Sequence, residues 1–319
     1  MPRLEELAAF LNNSVAVRDK LEISRAYAPA VEANLGGAAL GDDCAAIPDP
    51  SGGYLLLAAE GMLKHFVAND PWFAGYSAVM VNISDVCAMG GRPLAIVDVL
   101  WASDHERTQP VWDGMKTAAH DYGVPIVGGH TTITHGAGSV YLAAAILGRA
   151  KVLMTSFDAQ PGDSLVMVVD LKGSFRNDKP FWNASVGAPP ETLRTNIELI
   201  PRIAESHWCR AAKDISNGGI IGTLVMLLQC SRVGAVLDLD SLPAPPGIDL
   251  EKWLISFPSY GYLLSVSKAN QVPVINLLTE HRLACKVVGE VTANSDLELK
   301  LAGESIVFWR RNDGGGDYA

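Results

Sequence analysis

The sequence predicts an α+β fold in two domains. Strand and helix signals alternate along the 319 residues, a length that suits two domains of ordinary size. An early hairpin signal, in which a strand at residues 45–47 precedes the turn 49–53 and a strand at 54–59, argues against a purely parallel sheet. Neither common nucleotide fingerprint, G-x-G-x-x-G or G-x-x-x-x-G-K-[ST], is present. We therefore expect mixed sheets rather than a Rossmann fold.

The N-terminal half is predicted to span residues 1–150. Residues 1–35 have helical spacing, and a helix over residues 71–89 is ended by Gly90 and Gly91. A β-type run over 94–100 and a helix over 108–122 follow. A short strand at 124–127 then leads into a glycine turn at Gly128 and Gly129.

The C-terminal half is predicted to span residues 151–310, after a seam rich in glycine and proline. It begins with a strand over 164–170, and a long loop is expected over 173–190. Helices are expected over 192–205 and 218–229. Three consecutive glycines make the segment 311–319 a flexible tail in this interpretation.

Composition excludes several classes of protein. The net charge is −10 without a run of Lys or Arg, which argues against nucleic-acid binding. We find neither a cleavable signal nor an apolar stretch of about 18 residues, so no membrane association is expected. Five widely spaced cysteines without a C-x-x-C pair favour reduced thiols and a cytoplasmic protein.

Two acidic positions are candidate metal ligands. Asp42 and Asp43 follow Gly41 between a glycine-rich turn and a strand, and taken alone they are better explained as turn residues. Asp85 lies in an otherwise small and apolar helix, with Asn82 on the same face. A buried acid there is unfavourable unless it is paired or bound to a metal, whereas an exposed acid would need no such partner.

Two further segments are candidate anion sites. Gly128 and Gly129 follow a strand and would let backbone N–H groups approach a phosphate, although an ordinary turn explains them equally. Residues 213–219, which include Asp214 and Ser216, precede a strongly apolar helix. Polar residues are expected there as helix caps, and a helix N-terminus also attracts anions.

The motifs together resemble the AIR-synthase-related superfamily. They are G-D-D, N-I-S-D-V-C-A-M-G-G-R-P, V-G-G-H-T-T and D-I-S-N-G-G-I, in that order. The superfamily includes thiamine-monophosphate kinase, selenophosphate synthetase, the hydrogenase-maturation dehydratase and two purine-biosynthesis enzymes. The similarity spans residues 40–240 and extends more weakly to about 310.

The resemblance implies an ATP- and Mg²⁺-binding N-terminal half and a homodimer whose N-terminal sheets pair into a shared β-barrel. It implies roles for this set of residues: Asp42 or Asp43, Glu60, Asp85 and Asp214 as Mg²⁺ ligands, and Gly128, Gly129, His130 and Thr131 as nucleotide contacts. Ser216 is a further candidate phosphate contact. Lys20, a cation near the N-terminus, is a candidate cofactor-binding residue whose role is open. A catalytic role for His130 is a weaker hypothesis than nucleotide contact.

The chain departs from each named member. Thiamine-monophosphate kinases have aspartates where this chain has His130 and Asn217, and no cysteine precedes Cys44 to supply the selenophosphate synthetase nucleophile. We therefore predict an ATP- and Mg²⁺-dependent phosphotransferase or synthetase acting on an unidentified small molecule. A thiamine-monophosphate kinase and a non-catalytic nucleotide-binding regulatory subunit are the alternatives.

Overall fold

A computed structural model describes residues 3–21, 41–133, 140–177 and 179–311. The chain divides into two compact units: unit 1 comprises Met1–Asp42, Met154–Ala184 and His207–Ala319, and unit 2 comprises Asp43–Leu153 and Ser185–Ser206. The contiguous division at residue 150 stays a prediction. Residues 22–35 of the predicted helical region and 312–319 of the predicted tail lie outside the described residues.

The elements are numbered in chain order. The helices are α1 Leu4–Asn13, α2 (described over residues 15–21), α3 Lys64–Asn69, α4 Pro71–Ala88, α5 His105–Tyr122, α6 Pro190–Ile197, α7 Leu199–Glu205, α8 Gly219–Ser231, α9 Leu250–Leu254 and α10 Gln271–Glu280. The strands are β1 Ala45–Pro48, β2 Tyr54–Gly61, β3 Arg92–Ala102, β4 Ile126–Ile133, β5 Tyr141–Ala150, β6 Ser164–Val169, β7 Ser174–Phe175, β8 Phe181–Asn183, β9 Ala211–Asp214, β10 Gly234–Asp238, β11 Phe257–Pro258, β12 Gly261–Val266, β13 Ala284–Thr292, β14 Asp296–Leu301 and β15 Glu304–Arg310. No helix in the described ranges is long and apolar enough to cross a membrane.

Unit 2 is built on a five-stranded mixed sheet. Its strand order is β1-β2-β5-β3-β4, in which β3 and β4 are parallel and the other neighbours are antiparallel. The predicted hairpin is therefore confirmed as β1 and β2, and so is the mixed character of the sheet. The buried residues of β2, β3 and β5 alternate along each strand and share one face, which we call the inner face.

Helix α4 packs on the inner face of this sheet. The carboxylate of Asp70 accepts a hydrogen bond from the backbone N–H of Phe73 and caps the helix, which begins at Pro71. Every residue of α4 from Phe73 to Ala88 is buried. The helix is therefore a core element, and the acid within it is withdrawn from water.

Close backbone approach joins α4 to α5. A Cβ atom at Gly75 would lie 2.1 Å from the carbonyl oxygen of Val111, and one at Gly114 would lie 1.8 Å from that of Trp72. Only glycine leaves room for two helix backbones at this separation. The two glycines thus fix the helical layer that covers the sheet.

The predicted glycine turn is wrong. Gly128 and Gly129 lie inside β4, where they pair with Val97 and Asp98 of β3. The pairing of β4 with β3 supplies backbone hydrogen bonds to this segment. The local sequence, which predicts a turn, does not reveal that pairing. β4 lies at one edge of the sheet that the described residues form, and its residues from Val127 to Thr131 are exposed.

Unit 1 is built on a seven-stranded mixed sheet of order β15-β14-β10-β13-β6-β12-β9. Strands β6 and β12 are buried at every position, and their apolar side chains pack with α8 in one core. α1 contributes Leu4, Leu7 and Leu11 to that core. Hydrophobic burial of both sheet and helices is thus the main stabilising term in unit 1.

Three details of the C-terminal prediction are corrected. The loop expected over 173–190 contains β7 and β8, which form a small sheet with β11. The helix expected over 192–205 is two helices, α6 and α7, with Glu198 between them. The N-cap of α8 is Gly218 in a left-handed conformation, and it makes no side-chain cap because glycine has no side chain.

Candidate functional site

Two carboxylates come close together in unit 2. One oxygen of Asp43, which precedes β1, lies within 4.8 Å of one oxygen of Asp85 in the last turns of α4. Asp85 is buried and Asp43 is partly buried. Two like charges at this separation in a poorly hydrated place repel each other unless a cation lies between them. The donor set of this pair therefore suits a divalent metal.

Asp42 has a different environment from its neighbour. Its carboxylate accepts hydrogen bonds from the backbone N–H of Ser156 at 3.0 Å and from the Ser156 hydroxyl at 2.7 Å. The ammonium of Lys213, itself buried, lies 3.4 Å from the same hydroxyl. All three residues belong to unit 1. Asp42 is thus engaged by protein donors, whereas Asp43 is the member of the pair that approaches Asp85.

A row of small and acidic residues crosses the inner face of the unit 2 sheet. Glu60 of β2 is opposite Ala144 of β5, Ala144 is opposite Asp98 of β3, and Asp98 is opposite Gly129 of β4. Within the described chain, neither Glu60 nor Asp98 brings a carboxylate oxygen within 4.8 Å of both Asp43 and Asp85. Glu60 is exposed and Asp98 is 1% exposed.

Asn82 links α4 to this row. Its side-chain amide donates to the carbonyl oxygens of Ala78, at 2.8 Å, and of Ala144, at 3.3 Å. Asn82 is fully buried, and its hydrogen bond to Ala144 of β5 shows that its side chain faces the sheet. The amide therefore places α4 directly over the row that contains Glu60 and Asp98.

The predicted nucleotide residues of β4 are divided between its two faces. Side chains alternate along a strand, so Gly129 and Thr131 face inward with Asp98 whereas Gly128 and His130 face outward. His130 Nε2 lies 3.0 Å from the hydroxyl of Thr132, its outward neighbour. Only Gly129 and Thr131 thus share a face with the helix that carries Asp85.

The remaining predicted residues lie in unit 1, at the start of α8. Asp214 is the last residue of β9 and is 3% exposed. The backbone N–H of Ser216 donates to the Thr223 hydroxyl at 3.3 Å. The side chain of Lys20 packs over the same helix start, since Cβ atoms at Gly218 and Gly222 would lie 3.0 and 3.1 Å from its Cγ.

Family comparison agrees with the fold. The AIR synthase related protein N-terminal domain matches residues 41–150 and the corresponding C-terminal domain matches residues 160–302. The chain belongs to the AIR-synthase-related family. The resemblance inferred from the four motifs is thus confirmed.

Individual relatives resemble this AIR-synthase-related chain over most of its length. An uncharacterized protein of Synechocystis is 50% identical over 85% of this chain and 83% of that protein. A thiamine-monophosphate kinase of Synechococcus elongatus is 25% identical over 84% of this chain and 88% of the kinase. The structure of AaThiL complexed with AMPPCP and TMP has a TM-score of 0.66 at 19% identity, covering 96% of this chain and 98% of that one.

Sequence reasoning missed Asp98 in this AIR-synthase-related protein. It lies in the apolar run 94–100, whose pattern predicts a strand and no site. The available signal was an unpaired acid within an apolar strand, the same argument that selected Asp85 in an apolar helix. Its position opposite Gly129 depends on the β3–β4 pairing, which the sequence does not reveal.

Proposed function

We propose that this chain binds ATP with Mg²⁺ and transfers phosphate to a small molecule. The phosphorylated molecule would be either the final product or an intermediate in which an oxygen is activated for synthesis. The observation that carries the proposal is the approach of Asp43 and Asp85 to within 4.8 Å in a family whose members include thiamine-monophosphate kinases. The ATP analogue AMPPCP in AaThiL gives further support.

Asp43 and Asp85 are the residues that would hold Mg²⁺. Mg²⁺ in nucleotide sites uses one or two carboxylates together with phosphate oxygens and water, and two close carboxylates fit that pattern. When bound, the ion would neutralise charge that develops on the transferred phosphoryl group. The carboxylates of Glu60 and Asp214 remain proposed ligands on the strength of the resemblance. Asp42 is not favoured, because Ser156 already binds both of its oxygens.

Lys20 and Ser216 are proposed phosphate contacts. The Lys20 stem crosses the first turn of α8, where a cation is unfavourable beside the positive end of the helix unless an anion is shared. A phosphate bound there would remove that repulsion, and Ser216, which lies at the same helix start, is the second proposed contact. The proposed nucleotide contacts in β4 remain Gly128, Gly129, His130 and Thr131. Gly129 and Thr131 face inward whereas Gly128 and His130 face outward, so the two pairs would have different roles.

Calorimetric titration of ATP into the protein with Mg²⁺ tests the proposal. We expect binding by the wild type and a loss of at least about ten-fold in affinity for Asp85→Asn, which keeps the shape of the side chain and removes its charge. Asp113→Asn, at an exposed acid of α5, is the matched control and should bind as the wild type does. Absence of Mg²⁺-dependent ATP binding by the wild type would refute the proposal.

Thiamine-monophosphate kinase is the second candidate, supported by a relative that is 25% identical over 84% of this chain. His130 and Asn217 replace two acids of those kinases, which predicts that thiamine diphosphate is not formed. A non-catalytic regulatory subunit is the third candidate. It would bind ATP without turnover on any of a broad panel of acceptors.

A homodimer through the unit 2 sheet is part of the proposal. The outer face of this sheet presents six large apolar side chains between 39% and 48% exposed: Ile47, Leu57, Val97, Trp101, Tyr141 and Leu147. Four of them form two cross-strand pairs, since Leu57 is opposite Leu147 and Trp101 is opposite Tyr141. A patch of this kind on a sheet face is typical of an interface, and a second copy supplies an identical sheet.

Sedimentation of paired variants tests the homodimer. The double change Leu57→Lys and Leu147→Lys should convert a dimer into a monomer without unfolding it, because both side chains point to solvent in one copy. Val272→Lys, at a 66% exposed position of α10, is the control that should leave the mass unchanged. A wild type that is monomeric at micromolar concentration would rule out this assembly.

A further inference from the structure

Three cations line one surface cavity in unit 2. The cavity has a volume of about 460 Å³ and lies where the turn between β1 and β2 meets the start of β3 and the end of β5. Its lining includes Arg92, Arg149 and Lys151, and none of the described residues that line it is acidic. The volume falls within the range of small-molecule sites. In a chain with a net charge of −10, a cavity of this kind is a candidate anion site.

Arg92 and Arg149 are cross-strand neighbours. They are directly opposite each other in the antiparallel pairing of β3 with β5, a position in which like charges destabilise a sheet unless other charges compensate them. The guanidinium of Arg92 lies 2.7 Å from Glu198 and 2.6 Å from Glu205. That of Arg149 lies 3.0 Å from Asp49. These three carboxylates are not among the lining residues, so the cavity is bounded by the cations of the ion pairs.

The turn between β1 and β2 orients the guanidinium of Arg149. Its Nη2 donates to the Ser51 hydroxyl at 2.8 Å and to the carbonyl oxygen of Gly52 at 3.1 Å. Its Nε and Nη1 have no acceptor among the described residues. Gly53 brings the turn against the end of β5, since a Cβ atom there would lie 2.3 Å from the carbonyl oxygen of Ala150. Arg149 is therefore held in place before a ligand arrives, and it keeps N–H donors for that ligand.

Lys151 is the second cation with capacity for a ligand. Its side chain is 78% exposed, and its ammonium lies 3.6 Å from Glu205, which is longer than an ordinary hydrogen bond. Exposed ion pairs of this kind contribute little to stability. The guanidinium of Arg92, by contrast, donates from all three nitrogens to Glu198 and Glu205. Arg149 and Lys151 are thus the cations that a ligand would contact, and Arg92 forms part of the wall.

We propose that this cavity binds a phosphate group through Arg149 and Lys151. A phosphate monoester carries a charge of about −1.5 to −2 at pH 7, which matches two available cations better than a single carboxylate does. A guanidinium is well suited to phosphate oxygens, and a lysine ammonium adds a point charge. The cavity is separate from the proposed metal pair, since neither Asp43 nor Asp85 lines it. The inference therefore goes beyond the proposed function and does not depend on it.

Calorimetric titration with ribose 5-phosphate and with inorganic phosphate, in EDTA at low ionic strength, tests the inference. The wild type should bind at least one of these probes and should not bind uncharged ribose. Arg149→Gln and Lys151→Gln should each weaken that binding by about ten-fold or more. Lys116→Gln, which removes an exposed cation of α5 that is paired with Asp113, is the matched control and should bind as the wild type does. Circular dichroism establishes that each variant is folded.

The two probes distinguish the source of the phosphate group. Tighter binding of ribose 5-phosphate supports a phosphorylated small molecule, and equal or tighter binding of inorganic phosphate supports the free ion. A wild type that binds neither probe overturns the inference, including the case in which a second copy of the chain covers the cavity. Binding that Lys151→Gln and Arg149→Gln leave unchanged also overturns it, and Lys151→Gln alone decides if Arg149→Gln does not fold. Because no nucleotide and no Mg²⁺ are present, these results leave the proposed ATP binding to its own test.

Discussion

Ser156 binds the carboxylate of Asp42 at both oxygens, through its backbone N–H at 3.0 Å and its hydroxyl at 2.7 Å. The adjacent Asp43 instead brings an oxygen within 4.8 Å of Asp85. Neighbouring acids of one G-D-D motif therefore have separate environments. The first is held by protein donors, and the second is the one that we propose as a metal ligand.

Asp42→Ala and Asp43→Ala should affect different properties, the first the stability of the protein and the second its metal-dependent ATP binding. Loss of two hydrogen bonds to a charged group should lower the free energy of unfolding by about 2–3 kcal/mol in Asp42→Ala. Asp43→Ala should weaken Mg²⁺-dependent ATP binding, because it removes one of the two proposed metal ligands. Thermal unfolding and Mg²⁺-dependent ATP titration measure the two effects. A larger loss of ATP affinity in Asp42→Ala than in Asp43→Ala would contradict this assignment.

Asp98→Asn should stabilise the protein at neutral pH. Burial raises the pKa of Asp98 above its ordinary value, and its own backbone N–H acts in the opposite direction. A raised pKa means that the native state keeps this proton at a higher pH than the unfolded state does. The stability that this proton contributes is present at acid pH and is lost as the pH rises through the native pKa.

Thermal unfolding of the wild type and Asp98→Asn between pH 4 and pH 8 measures this dependence. The advantage of Asp98→Asn should be largest at pH 8 and should shrink toward pH 4, because the unfolded wild type takes up protons as the pH approaches the ordinary pKa of an aspartate. Asp113→Asn should show no such growth with pH. An advantage of Asp98→Asn that is independent of pH would contradict the assigned cause.

Gly129→Ala should be more damaging than Gly128→Ala. The added carbon at Gly129 would lie 2.1 Å from Asp98 Oδ1, whereas the nearest atom to one at Gly128 is Val97 Cγ1 at 3.9 Å. Forced movement of a buried acid should lower the free energy of unfolding by about 1–3 kcal/mol. Urea denaturation of the two variants measures the difference. Equal stabilities would show that Asp98 can move at little cost.

Arg92→Met should loosen α6 and α7 without changing the sheet. The guanidinium lies 2.7 Å from Glu198 and 2.6 Å from Glu205, and all three side chains are 25–45% exposed. Solvent screening limits the expected loss to about 1 kcal/mol. Hydrogen exchange should therefore accelerate in residues 190–205, with little change in β2 and β5. Uniform acceleration throughout unit 2 would instead indicate a global loss of stability.

The same ion pairs predict an acid-dependent contribution. Arg92 lowers the pKa of Glu205 below its ordinary value, through a hydrogen bond and charge attraction that outweigh its partial burial. A lowered pKa means that the stabilisation is present above the unfolded-state pKa and is lost as the pH falls through the native value. The difference in melting temperature between the wild type and Arg92→Met should therefore decrease below about pH 4.

The sequence by itself determined the family, the hairpin at the start of unit 2 and the unusual acid in α4. These follow from short-range patterns, because turn chemistry, helical spacing and an acid among apolar residues are visible within ten or twenty positions. Four motifs in order were enough to identify the AIR-synthase-related family, since they do not depend on knowing which strands pair.

Only the tertiary structure decided what surrounds each acid. Ser156 lies 114 positions from Asp42, and the approach of Gly129 to Asp98 depends on the pairing of β3 with β4. Because of the same pairing, the segment expected to be a glycine turn is part of an edge strand whose two faces differ. Long-range contacts of this kind give no local sequence signal, because side-chain placement depends on strand order and register rather than on neighbouring residues.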